Sequence, residues 1–351
     1  MKITYSTNKK QKPEFSNLGF GKYFTDHMLV MDYKDGKWQE IQILPYQDFS
    51  IDPSTNILHY GQGIFEGMKA YKNKNGKITM FRSYDNLKRM NNSAKRLCMP
   101  EIDIDEVFEG IKKLIQIDSD WIPTQSGASL YVRPAMIAFD KMLGVHPAHE
   151  YRFFVILSPV GSYYANGLAP TKIMIEENFV RAAIGGTGEV KCMGNYAASL
   201  LAGEIASQKG YDQVLWLDAA EKKYVEEVGA MNIFFVIDGI VKTPKLVGSI
   251  LPGITRDSAI KVLKDNGYEV QETRISVEEI LQAQEEGKLD EAFGCGTAAV
   301  ISPVGVLGYG GKDIIINNNQ MGPVASFLYD TITGIQYGKI EDKYNWLIAI
   351  N

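Results

Sequence analysis

The chain is 351 residues long, 45% hydrophobic and 23% charged, a composition that excludes a disordered chain and leaves room for two domains with separate cores. Its net charge of -5 at pH 7 argues against the clustered Lys and Arg that a nucleic acid or an anionic membrane surface would need. No apolar run approaches the ~20 residues of a membrane span, and the opening MKITYSTNKKQKPEF has no apolar region behind its charges, so a cytoplasmic protein is expected.

Taken in chain order, DNLKRMNNSAKRL at 85–97 predicts a helix among early strands, and LYVRPAMIAF at 130–139 and YRFFVILSPV at 151–160 predict strands. GSYYANGLAP at 161–170 has the Gly, Tyr and Pro content of a connection between domains. Beyond it, TKIMIEE reads as a strand, and the Gly-rich turn GGTGEVKCMGN feeds a helix over roughly 196–208 that stops near Gly210. VLWLD at 214–218 and YVEEV at 224–228 read as paired strands, while Asp238-Gly239 inside NIFFVIDGIVKTP signals a hairpin. Thr255 is expected to cap the helix TRDSAIKVLKDNG, which Gly267 ends, and Ser276 with Glu279 makes a capping box for SVEEILQAQEEG. Strands, hairpins and helices alternate without the rhythm of a doubly wound sheet, which predicts α+β domains.

Some familiar patterns fail on inspection. GGTGEVKC is not a P-loop, because Val190 and Cys192 stand where that loop needs Gly and Ser or Thr around its Lys. Gly61, Gly63 and Gly67 miss the dinucleotide spacing by one residue, and a β-like Met-Lys-Ala-Tyr follows them. Cys98, Cys192 and Cys295 are odd in number and far apart, so free thiols are expected. His146 and His149 sit either side of a Pro in GVHPAHE, which reads as a surface loop; no metal site is expected.

Six segments, LHYGQGIFEGMKAY, LYVRPAMIAFD, KCMGNYAASLLAGEIASQKGYDQVLWLD, VEEVGAMNIFFV, LPGITR and FGCGTAAVISPV, resemble in order the signature blocks of branched-chain amino acid aminotransferases. The resemblance implies fold type IV of the pyridoxal-phosphate enzymes: a small N-terminal α+β domain at 1–160, an interdomain loop at 161–174 and a larger cofactor-binding α+β domain at 175–351. It also implies a homodimer whose active sites take a contribution from the neighbouring subunit, with pyridoxal 5'-phosphate as cofactor. The implied reaction is transamination of Leu, Ile or Val with 2-oxoglutarate, giving branched 2-oxo acids and L-glutamate by a ping-pong route.

Residue by residue, the match makes Lys191 the catalytic lysine that holds the cofactor as a Schiff base and then carries a proton. Glu227 in VEEVGAMN is matched to the carboxylate that keeps the pyridine nitrogen protonated. Its neighbour Glu226 must point to the opposite face of the strand. Phosphate binding falls to Arg89, to the backbone around Ile254 and Thr255 at a helix start, and to Thr297, with Tyr196 beside the cofactor. Tyr60, Phe65, Tyr131, Tyr163 and Tyr196 supply an aromatic pocket that can bury an aliphatic side chain, while phenol groups and Arg133 meet the second carboxylate of 2-oxoglutarate. Backbone N–H groups of Thr297 and Ala298 would receive the substrate α-carboxylate.

Departures from the pattern matter too. Ala299 and Ser302 stand where longer animal-type members carry a CxxC pair, so no thiol switch is expected there. Lys69 occupies a position that holds Lys or Arg in the family. The competing readings are a D-amino acid transaminase or aminodeoxychorismate lyase on the same fold, disfavoured by the LYVRP and EVGAMN blocks, and a catalytically silent binding protein, disfavoured by the lysine.

Overall fold

Every second side chain along the first six residues of the strand Tyr151–Val160 is buried, through Tyr151, Phe153 and Val155. That is the period-2 signature of a strand with one face on a core. It pairs antiparallel with Ser129–Ala138 on one side and His27–Lys34 on the other, in the middle of a ten-stranded sheet. The computed structural model describes residues 1–161 and 168–351; Tyr163 and most of the first half of the expected 161–174 connection lie outside the described residues. Contacts divide the chain into two units, which are not contiguous in sequence: Met1–Ala165 with Val190–Gly194 and Ile335–Asn351, and Asn166–Glu189 with Asn195–Gly334.

In the first unit the helices Ser83–Arg96 and Ile104–Ile117 bury Leu87, Met90, Ala94, Val107, Ile111 and Leu114 into the same core as Leu29, Ile43 and Val155 of the sheet. Asp103 caps the second helix, its side chain accepting from the Glu106 N–H, as Asp does at helix starts. Gly110 lets this helix lie close to the sheet, for a Cβ there would fall 2.8 Å from Leu29 Cδ1. The C-terminal strand Leu347–Ala349 closes an edge by pairing with Ile78–Phe81.

The second unit is built on a nine-stranded mixed sheet. Thr171–Ile175 is parallel to both Gln213–Leu217 and Val300–Tyr309, while the neighbours Val225–Val228, Met231–Ile237 and Leu289–Gly296 run antiparallel. The hairpin expected at Asp238-Gly239 forms, with φ of 53° and 74°, the doubly positive pair of a type I′ turn. The helix expected over 196–208 is two helices, Met193–Ala197 and Leu200–Gln208, broken where Ser199 turns its hydroxyl back to the Tyr196 carbonyl at 2.7 Å. Among the described residues no helix is long and apolar enough to cross a membrane.

Candidate active site

Lys191 is fixed by its backbone before its side chain is considered. Its N–H donates to Ser93 Oγ at 2.9 Å, and the Ser93 hydroxyl donates to the Arg89 carbonyl at 3.1 Å. Its own carbonyl accepts from the Phe65 N–H at 3.1 Å, and Cys192 bridges to Ile64. One serine on the helix Ser83–Arg96 and one turn of the strand Gly63–Phe65 thus hold the lysine and the arginine in the same unit. The Lys191 ammonium lies 4.8 Å from the Phe65 ring centre, a cation resting on an aromatic face.

Arg89 is buried and makes a two-point ion pair with Glu66, Nε to Oε1 at 2.7 Å and Nη2 to Oε2 at 2.9 Å. Burial alone would raise the Glu66 carboxyl. The Arg89 charge and hydrogen bond outweigh it, helped by Lys191 and Asn86, and hold the group below the usual carboxylate range. Glu66 was absent from the residues expected at the site although it lies inside LHYGQGIFEGMKAY; its partner is 23 residues away on a different element.

The expected aromatic residues of this unit cluster unevenly. Arg133 lies over both the Phe65 ring, at 4.7 Å, and the Tyr131 ring, at 5.1 Å, and donates to the Tyr131 hydroxyl at 3.1 Å. Its Nε is closed to solvent without a hydrogen-bond partner among the described residues. Tyr131 Oη would be 2.0 Å from a Cβ at Gly67, so only glycine admits the phenol there. Tyr60 is more open, at 41% exposure, and its hydroxyl accepts from the Gly144 N–H at 2.7 Å. Lys69, opposite Tyr131 in the sheet, is buried, which lowers its ammonium to about 8.

In the second unit both acids of Val225–Val228 are buried, at 4% and 3%, so neither is an exposed strand acid. They part as strand geometry requires. Glu226 meets Ser249, and burial raises its carboxyl. Glu227 accepts from the Leu251 N–H at 2.7 Å, and Arg181 Nε lies 3.1 Å from its other oxygen, angled for an ion pair and not for a hydrogen bond. Arg181, unforeseen from sequence, also donates to the carbonyls of Gly188 and Ser249 at 3.0 and 2.7 Å.

Thr255 is not the cap of its helix. Gly253 holds the N-cap position and the helix is Ile254–Asp265, which leaves Ile254 and Thr255 in the first turn. Glycine is required at that N-cap, because a Cβ at 253 would stand 2.0 Å from Asn232 Oδ1, whose amide in turn donates to the Leu251 carbonyl at 2.9 Å. Thr297 and Ala298 lie in the turn joining Leu289–Gly296 to Val300–Tyr309, where Val300 has φ of 64°. A β-branched residue in that region costs on the order of 1–3 kcal/mol and is found where a site imposes it. Tyr196 is half-buried in Met193–Ala197.

A model of the amino-transferase class IV family matches residues 63–306. A Staphylococcus epidermidis protein named "Probable branched-chain-amino-acid aminotransferase" is 55% identical over 97% of this chain and 96% of its own length. Branched-chain-amino-acid aminotransferase 2 of Bacillus subtilis is 52% identical over 100% of this chain and 97% of its own. The chain belongs to the class IV amino-transferases. The solved T.th. branched-chain amino acid aminotransferase, complexed with N-(5'-phosphopyridoxyl)-L-glutamate, is 30% identical with a TM-score of 0.75, over 92% of this chain and 98% of that one. The fold is therefore the α+β fold type IV of its class, as the six sequence blocks implied.

Proposed function

We propose that the chain transfers the amino group of L-Leu, L-Ile or L-Val to 2-oxoglutarate, releasing the branched 2-oxo acid and then L-glutamate, as a cytoplasmic homodimer dependent on pyridoxal 5'-phosphate. The observation that carries the reading is the anchoring of Lys191 to Ser93 and Phe65 within an almost full-length match to relatives of that name. The residues present suit the cofactor: an amine on a braced backbone, an acid held by an arginine and an amide, and a glycine-started helix turn for an anion. When bound, the cofactor supplies an electron-accepting ring that stabilises negative charge at the substrate Cα.

Lys191 Nζ holds the cofactor between turnovers and moves the proton lost from the substrate Cα. Glu227 keeps a proton on the ring nitrogen, and Arg181 and the Leu251 amide keep its carboxylate oriented for that task. Arg89, Ile254, Thr255 and Thr297 are assigned to the phosphate, and Tyr196 to the cofactor ring. Thr297 and Ala298 amides take the α-carboxylate. Tyr60, Phe65, Tyr131 and Tyr163 bound the side-chain pocket. Arg133, whose Nε is buried with no hydrogen-bond partner among the described residues, takes the second carboxylate of 2-oxoglutarate, and the aromatic rings of the pocket take an aliphatic group.

The test is a donor panel with 2-oxoglutarate as acceptor, followed by glutamate formation. L-Leu, L-Ile and L-Val should turn over, D-alanine and aminodeoxychorismate should not, and Lys191→Ala should be inactive. Turnover of D-alanine in preference to L-leucine defeats the reading.

A further inference from the structure

Ala138 and Tyr151 pair at the ends of neighbouring strands, and the chain between them gathers three potential ligands. One ring nitrogen from each of His146 and His149 and one oxygen of Asp140 lie within 4.8 Å of one another. We propose that Asp140, His146 and His149 form a binding site for a divalent transition cation of the zinc class.

Each ligand is prepared in its own way. Asp140 is buried, and its oxygens accept from the His149 N–H at 3.0 and 2.9 Å and from the Glu150 N–H. Those two amides fix the orientation of the carboxylate. His146 Nδ1 is 2.9 Å from the Pro147 carbonyl. A carbonyl only accepts, so the proton sits on Nδ1 and the lone pair on Nε2. That Nε2 is shut off from solvent and has no hydrogen-bond partner among the described residues. A metal-ligating histidine has this very arrangement, with its other ring N–H donated to a backbone carbonyl.

His149 Nδ1 lies 3.2 Å from Asp140 Oδ2. That contact is a hydrogen bond in the free site, the carboxylate accepting from Nδ1–H; a bound cation would displace this proton, and because ligands at ~2.0–2.1 Å around tetrahedral zinc stand roughly 3.4 Å apart, the exchange would need little movement. Two imidazoles and one carboxylate select zinc, cobalt, nickel or copper over magnesium and calcium, which take oxygen sets. The His149 side chain is 80% exposed, which leaves the cation a way in. Bound there, it would clamp both ends of the segment whose Gly144 N–H donates to Tyr60.

The experiment is equilibrium dialysis of chelator-treated holoenzyme against Zn2+ with metal analysis, repeated with His146→Ala and His149→Ala. The wild type should bind one zinc per chain with a raised thermal midpoint, and neither Mg2+ nor Ca2+ should bind there. Each variant should bind zinc at least tenfold more weakly; His149→Ala, altering an exposed ring, keeps the readout if His146→Ala fails to fold. A wild type that binds no zinc, or a folded variant of either histidine with wild-type affinity, overturns the proposal. Neither result bears on transamination, which is read separately.

Discussion

Glu66 has no exposure and lies within electrostatic reach of both Arg89 and Lys191. Removing its charge leaves the guanidinium buried without its counter-ion, and breaking a buried pair in that way costs about 3–5 kcal/mol. Glu66→Gln should lose stability of that order in urea unfolding, whereas a loss under about 1 kcal/mol would mark the pair as no better than a surface one. The sign with pH follows from a folded carboxyl lower than its ordinary value of 4.5. Its stabilisation is complete above that value and is lost as pH falls through the folded pKa. The acid limb of the wild-type stability curve should therefore be steeper than that of Glu66→Gln, and identical limbs contradict the assignment. Thiols give a second check, because burial pushes Cys295 up to about 12 and Cys192 is buried, while Cys98 is exposed. A chromogenic disulfide reagent should titrate one thiol in the native protein and three after unfolding; three in the native protein would contradict the burial. Lys191 and Glu227 could be proposed from sequence because each lies inside one of the six contiguous blocks. Glu66 and Arg181 could not, since their roles exist only through partners 23 and 46 residues distant, and local spacing carries no trace of such pairs.

The elements show the same division between short-range and long-range causes. Ser276 caps Val277–Glu285 as expected, accepting from the Glu279 N–H at 3.0 Å. The reciprocal half of the box is not made by Glu279, whose carboxylate pairs with Lys242 at 2.7 Å. Ser276→Ala should cost about 1 kcal/mol by thermal or chemical unfolding, and no measurable loss would mean the cap is inert. Asp238-Gly239 was readable because its turn chemistry is local. Thr255 misled because a hydroxyl residue before an apolar periodic run is the ordinary sign of a cap. The helix in fact starts two residues earlier, at a Gly253 N-cap whose lack of a Cβ is required by Asn232, on a strand 21 residues upstream. The break between Met193–Ala197 and Leu200–Gln208 likewise follows a side chain returning to the backbone, which periodicity does not register.

For the whole molecule, the two contact units do not follow the chain in order: Val190–Gly194, with Lys191, groups with the N-terminal sheet although the strands on either side of it in sequence belong to the other unit. The α+β class and the order of its blocks were visible in sequence, but this grouping rests on the Lys191 contacts to the Ser93 hydroxyl and the Phe65 amide, which are far from it along the chain. The central claim is covalent, and it is tested by treating the holoenzyme with borohydride, digesting it and mapping the added mass by mass spectrometry. A phosphopyridoxyl adduct on Lys191 is the predicted result. An adduct on another lysine, or none on a protein that nonetheless transaminates, would contradict the account.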